Sequence, residues 1–517
     1  MPTFLEIRRV RRMTPSTSVA LLAVLFIPLQ LLAQAPATHH HYKLIDFGTF
    51  GGLQSYTAGT SLLTTGLELN NSGVLVGYAD TAIPDPFPAF CFNADCLVAY
   101  GFQWQDGVAS DLGSLRRGWS STPVAISANG IIVGYAQNGA TDPLTDSPED
   151  VAVLWQNGRI RNLGTLPEGG YESSALAVNS AGQVVGAALN TIPDANPLFI
   201  YPIYPVQATQ TRAFIWDGGE MRDLGTLGGT DAIAAAINEN GQVMGWSYTG
   251  STQPSGCGPA LLAVGSFIWD RERGMRSVGD FGDTCTLAYG QNNRGQVVGY
   301  SVPAGSQYGT RAFLSQDGAI QDLGGAPLGT CTFAFAINGA GQAAGGVCVG
   351  PYFHAALWTG IGQITDLGTL GSDPCSNATD INAIGQVVGG SISLAECEGE
   401  GNATDAFLWE NGSIVDLNAL VPPDSPLYLV FPDHISDLGE ISGNGVDASG
   451  NNHAFLLIPC DANHPFIEGC DYRLVDMSSV AKPAVAPGES HDTPMVWRQA
   501  IALNHRRSLL RLSLPNK

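Results

Sequence analysis

Residues 223–247 read DLGTLGGTDAIAAAINENGQVMGWS, and this stretch decides the fold. Ala234 to Asn238 is a short apolar run closed by an asparagine, and Gln242 to Ser247 is a second short run. Between them stands Asn238-Glu239-Asn240-Gly241. Asn bonds backbone two residues on and Gly takes positive φ without steric cost, so N-x-x-G reverses the chain. Two strand-length runs joined in this way predict a β-hairpin, strands a and b. Upstream, Ala213 to Trp216 reads as a strand c. The turn Asp217-Gly218 leads into a strand d that ends at Asp223-Leu224-Gly225. There a carboxylate can accept backbone N–H bonds from the glycine-rich turn that follows.

The unit recurs eight times. The hairpin glycines fall at Gly73/Gly77, Gly130/Gly134, Gly182/Gly186, Gly241/Gly245, Gly295/Gly299, Gly341/Gly345, Gly385/Gly389 and Gly439/Gly443. The c motif ends at Trp104, Trp155, Trp216, Trp269, Ser315, Trp358, Trp409 and Leu457. Four short strands per unit, repeated every 44 to 59 residues, match a propeller blade. The Phe and Trp of strand c are expected to fill the space between blades. The Asn of A-I-N (Asn70, Asn179, Asn238, Asn292, Asn338, Asn382) is expected to cap its own turn. The last unit has strands a, b and c but no d. The missing strand lies at the other end, at Tyr42 to Phe47. Pairing it with Ala454 to Ile458 closes a ring without open edges. The predicted fold is therefore all-β, an eight-bladed β-propeller of four-stranded blades closed by the N-terminal strand. The alternative is two smaller arrays packed together.

Composition sets the class. Hydrophobic residues make up 44% and charged ones 13%, with 64 Gly and a net charge of −23. Such a body repels phosphate backbones, which argues against a nucleic-acid partner. Arg8, Arg9, Arg11 and Arg12 precede an apolar run from Val19 to Ala33, and Ala35-Pro36-Ala37 follows. That order predicts a signal peptide over 1–37, the propeller over 38–459, and a Cys-bounded loop with an irregular basic tail over 460–517. No second apolar stretch is long enough to span a membrane. The expected location is extracellular or periplasmic. Ten cysteines suit an exported chain. The expected disulfides are Cys91–Cys96, Cys331–Cys348, Cys375–Cys397, Cys460–Cys470 and Cys257–Cys285. The tail from Met477 is expected to be disordered.

Loop lengths point to a binding face. From the second hairpin Gly to the strand-c position the gap is 25, 19, 28, 22, 14, 11, 18 and 12 residues in chain order, whereas the a–b turn never changes length. In a four-strand blade the b–c and d–a loops leave on one face, so the variation gathers there. The unit-3 insert carries Phe199, Tyr201 and Tyr204, aromatic residues suited to stacking on a sugar or a partner protein. The unit-2 insert carries Asp142, Asp146, Glu149 and Asp150, oxygen ligands for a metal such as Ca²⁺ whose spacing is not that of an EF-hand. No nucleophile elbow, H-E-x-x-H or phosphate loop appears, so no catalytic residue and no cofactor are assigned.

The units resemble the HAF repeat, a family of extracellular bacterial repeats named for His-Ala-Phe. The triplet stands here as His453-Ala454-Phe455, with Ala213-Phe214 and Ala406-Phe407 as variants, and the resemblance covers about residues 41 to 458. It implies export and no defined activity. The expected function is a non-catalytic scaffold or binding protein for an extracellular glycan or protein. The alternative is a propeller hydrolase or lyase acting on polysaccharide.

Overall fold

The computed structural model describes residues 38–58, 67–88, 91, 95–167, 169–194, 209–251, 262–282, 285–302, 309–325, 331–393, 397 and 405–476. Eight four-stranded antiparallel sheets form an eight-bladed propeller. Blade 4 shows the pattern: strands a, b, c and d are Gly228–Ile237, Val243–Thr249, Val264–Asp270 and Gly274–Ser277. The a strands of neighbouring blades touch one another, which places them innermost, around the channel.

Ring closure follows the sequence. Tyr42–Asp46 pairs antiparallel with Asn452–Pro459, Tyr42 opposite Pro459 and Asp46 opposite Phe455, and so supplies strand d of blade 8. A second latch lies outside the repeat. Thr38–His40 pairs with Leu474–Asp476, and the fully buried His39 bonds Glu410 through Nδ1 at 2.8 Å. The stretch after 459, expected as a Cys-bounded loop and irregular tail, thus also contains a short strand. Three residues suffice here because the partner strand, not local periodicity, holds them. The tail from Met477 lies outside the described residues.

Glycine does two jobs in each hairpin. The first motif Gly takes positive φ, as at Gly241 (+74°). The second sits where strand a bulges toward it. A Cβ on Gly245 would lie 2.0 Å from the carbonyl oxygen of Ile233, too close for any side chain. Strand a places one extra residue opposite strand b at this point, Ala235 in blade 4.

The repeated polar residues hold the ring together. Asn238 Oδ1 accepts the N–H groups of Asn240 and Gln242, capping its own turn. Its Nδ2 also donates to the carbonyl oxygen of Asn292 in the next blade, at 3.2 Å. The same cross-blade bond runs from Asn70, Asn179, Asn292, Asn338 and Asn382. The Asp of D-L-G accepts from the Gly two residues on, as at Asp223, Asp322 and Asp366. The strand-c Phe residues at 102, 214, 267, 313, 407 and 455 are buried in the packing between blades.

Cys91–Cys96, Cys331–Cys348, Cys375–Cys397 and Cys460–Cys470 are bonded, with Cα separations of 4.8, 5.1, 5.9 and 5.4 Å. Cys285 is also disulfide-bonded, and Cys257 lies outside the described residues.

Candidate functional site

The loop face is uneven. Strand b is ten residues long in blades 1, 2 and 3: Leu75–Pro84, Ile132–Thr141 and Val184–Pro193. In blades 4 to 8 it is six or seven. Each long hairpin shifts register at the same place, between Asp80 and Pro84, Gln137 and Thr141, and Leu189 and Pro193. Three consecutive blades therefore raise a wall above the disc. Exposed large hydrophobics follow it: Phe50, Leu53, Ile83, Leu144, Tyr171 and Ile192 all lie on loop-face segments of blades 1 to 3. Among the described residues, the loop-face segments of blades 4 to 8 expose none.

The acids proposed as metal ligands have separate tasks. Asp142 is buried and its Oδ1 accepts the Leu144 N–H. Asp146 is a turn residue with φ +57°. Glu149 accepts from the Asn138 amide at 2.7 Å. Asp150 is buried, and burial followed by the Asp85 charge pushes its carboxyl up to about 8. Among the described residues no three His, Cys, Asp or Glu side chains are grouped to hold a metal ion. Phe199, Tyr201 and Tyr204 lie outside the described residues.

Sequence reasoning missed the channel. The bulge residue of strand a occupies one equivalent position around it: Val124, Leu176, Ala235, Tyr289, Phe335, Thr379 and Asp433 in blades 2 to 8. Val124, Leu176 and Ala235 are buried, so that side is filled. Tyr289, Phe335, Thr379 and Asp433 are partly accessible, and Leu67 of blade 1 is exposed, so among the described residues the other side is the more open. The next position along strand a is Ala125, Ala177, Ala236, Gly290 and Ala336 in blades 2 to 6. In blades 7, 8 and 1 it is Asp380, His434 and Glu68.

These three ionisable residues and Asp433 form one network. His434 Nδ1 lies 2.5 Å from Asp380 Oδ2, which also accepts the Ile435 N–H. Glu68 is buried and accepts from the Ser442 hydroxyl at 2.8 Å. Asp433 Oδ2 accepts from the Thr57 hydroxyl and from Asn444 Nδ2. Burial alone would push His434 down, but the Asp380 carboxylate outweighs it and holds the imidazole at about 9. Burial, then the Glu68 charge, pushes Asp433 well above the usual carboxylate range. Burial likewise raises Glu68 against the pull of His434.

Blade 1 departs here as well. In blade 4 only Ala235 separates Ala234 from Ala236. In blade 1 residues 58–67 separate the equivalent Thr57 and Glu68. The added length before the first hairpin therefore enters the sequence between two strand-a positions. On the face opposite the loops, a groove of about 1020 Å³ runs between blades 2 and 3. Its Trp216 ring is covered by Arg161, with the guanidinium carbon 4.7 Å from the ring centre.

No family model matches the sequence, and no curated protein matches it. Solved propeller structures do. The β-propeller domain of the trilobed protease from Pyrococcus furiosus is 11% identical over 74% of this chain and 97% of that one, with a TM-score of 0.38. A puromycin-hydrolysing peptidase from Mycobacterium tuberculosis is 12% identical over 74% of this chain and 56% of its own, at 0.39. Porphyromonas gingivalis dipeptidyl peptidase 4 is 8% identical over 76% and 65%, at 0.37. Likeness of this depth carries no argument about activity.

Proposed function

We propose that this chain is an exported, non-catalytic binding protein, of the kind the HAF-repeat resemblance implies, that meets a partner protein on the loop face of blades 1 to 3. The supporting observation is that each raised hairpin carries an exposed large apolar residue, Ile83, Leu144 and Ile192. Large apolar side chains gathered on one exposed face commonly mark contact surfaces. Export is supported by the Arg cluster and apolar run ahead of Ala37 and by the disulfides. No helix of the described residues is long and apolar enough to cross a membrane.

The hydrolase alternative needs one protonated and one ionised carboxyl side by side. Burial raises both Glu68 and Asp433, so neither environment favours the ionised member of such a pair. This favours binding over hydrolysis at the channel. The test is photo-crosslinking in the producing cell, with a crosslinker placed at Ile83 or Ile192 and, as controls, at Val108 or Ile361 on the opposite face. A discrete protein adduct from the loop-face positions alone supports the proposal. Adducts only from the controls, or none from any position of a natively folded chain, refute it.

A further inference from the structure

The open side of the channel is a second surface, separate from the loop face. Its lining changes character from one blade to the next. Tyr289 and Phe335 meet edge to face with ring centroids 5.2 Å apart, and both are partly accessible. Thr379 and Asp433 occupy the same ring position in the following two blades. We infer that this side of the channel, from Tyr289 and Phe335 through Thr379 to Asp433, binds a neutral carbohydrate unit.

Three observations carry the inference. The first is departure from the repeat. Five blades place Ala or Gly behind the bulge, and three adjacent blades place Asp380, His434 and Glu68 there. Closing the ring does not require this. The seam between blades 8 and 1 is already held by the Tyr42–Asp46 strand and by the paired Asn71 and Asp437. The Asp380–His434 pair spans a different seam, between blades 7 and 8.

The second is how Asp433 is held. Both of its donors, Thr57 and Asn444, bond Oδ2. Asn444 is itself fixed, because its Oδ1 accepts the Thr57 N–H at 3.2 Å. Among the described residues Oδ1 of Asp433 has no hydrogen-bond donor. A carboxyl oriented by neighbours, with one oxygen free, suits hydroxyl recognition.

The third is charge. His434 is paired with Asp380, and burial raises Asp433 and Glu68, which works against charge on this wall. No three His, Cys, Asp or Glu side chains among the described residues are grouped to take a metal ion. The Thr379 hydroxyl donates to the Pro432 carbonyl oxygen and so offers only its lone pairs. A wall of oriented carboxyl and aromatic edge matches a sugar ring, which offers C–H faces to aromatics and hydroxyls to polar groups.

The test uses the mature full-length chain and four neutral disaccharides: maltose, cellobiose, lactose and xylobiose. Binding is followed by saturation-transfer NMR and titration calorimetry. At least one sugar is expected to bind. Phe335→Leu and Asp433→Ala should each weaken it about tenfold. Asp433→Asn, which keeps a donor and an acceptor, should stay within about threefold. Should Asp433→Ala fail to fold, Phe335→Leu alone decides, because that ring holds no hydrogen bond of the fold. The triple loop-face variant I83S/L144S/I192S should leave sugar binding unchanged. The inference is overturned if none of the four sugars binds the folded chain, if binding survives the channel variants, or if only the loop-face variant abolishes it. The last outcome would leave the loop-face proposal standing.

Discussion

The side-chain amide of Asn238 donates to the backbone carbonyl of Asn292, one blade away, at 3.2 Å. The same side chain accepts two N–H groups of its own turn. One residue thus shapes a hairpin and ties that hairpin to the next. Asn238→Asp should keep the turn and lose the tie, whereas Asn238→Ala loses both. The expected cost is about 0.5–1.5 kcal/mol for the aspartate, from the lost cross-blade bond to a carbonyl that keeps the Gly295 N–H, and more for the alanine. Urea midpoints of the two variants check this order, and equal losses would contradict it.

Gly245 and Gly218 separate two kinds of glycine. A Cβ on Gly245 meets the Ile233 carbonyl oxygen at 2.0 Å and the Phe267 ring at 2.7 Å. Gly218 has open space around it but a φ of +63°. Gly218→Ala should cost about 1 kcal/mol, from backbone strain alone. Gly245→Ala must push strand a off strand b and should yield no soluble folded protein. Recovery of a stable Gly245→Ala chain would show that the bulge can relax.

Buried acids set the pH response. Burial holds Asp150 at about 8, Glu172 at about 9 and Asp231 at about 8, with like charges from Asp85, Asp150 and Asp194 adding to it. Each folded value exceeds the unfolded one, so folding retains a proton that the unfolded chain releases. Stability is therefore full below about pH 4 and falls as pH rises toward 8–9, by up to about 1.4 kcal/mol per pH unit for each group. His434, raised to about 9, acts in the same direction between its ordinary value and 9. Thermal midpoints should fall between pH 5 and 8.5, and Glu172→Gln should flatten that fall. A midpoint that rises over the range would contradict the assignment.

The blade was legible because its constraints are local. N-x-x-G fixes a turn, with Ser127 and Ser436 in place of Asn in two units; the second Gly, which in blade 4 fits under the Ile233 carbonyl, recurs in all eight; and D-L-G caps the strand end at Asp111, Asp223, Asp322 and Asp366. Closure was legible because a strand was missing at one end and present at the other. The channel was not legible, because Asp433 and Thr379 differ from their equivalents and a repeat search discards what differs. The signal was nonetheless in the alignment: Asp380, His434 and Glu68 replace Ala or Gly in three adjacent copies. The Thr38–His40 latch leaves no repeat signature, since its partner at Leu474–Asp476 lies outside the array.

Closure by the N-terminal strand is the central claim, and disulfide trapping tests it most directly. Lys43 stands opposite Ile458. The double variant Lys43→Cys/Ile458→Cys should form an intramolecular disulfide in the mature chain, found by peptide mapping without reductant. The comparison variant Lys43→Cys/Gln103→Cys, which pairs the strand with strand c of blade 1, should not. A bond from position 43 to 103 and none to 458 would place the N-terminal strand on the first blade, and the ring would be open.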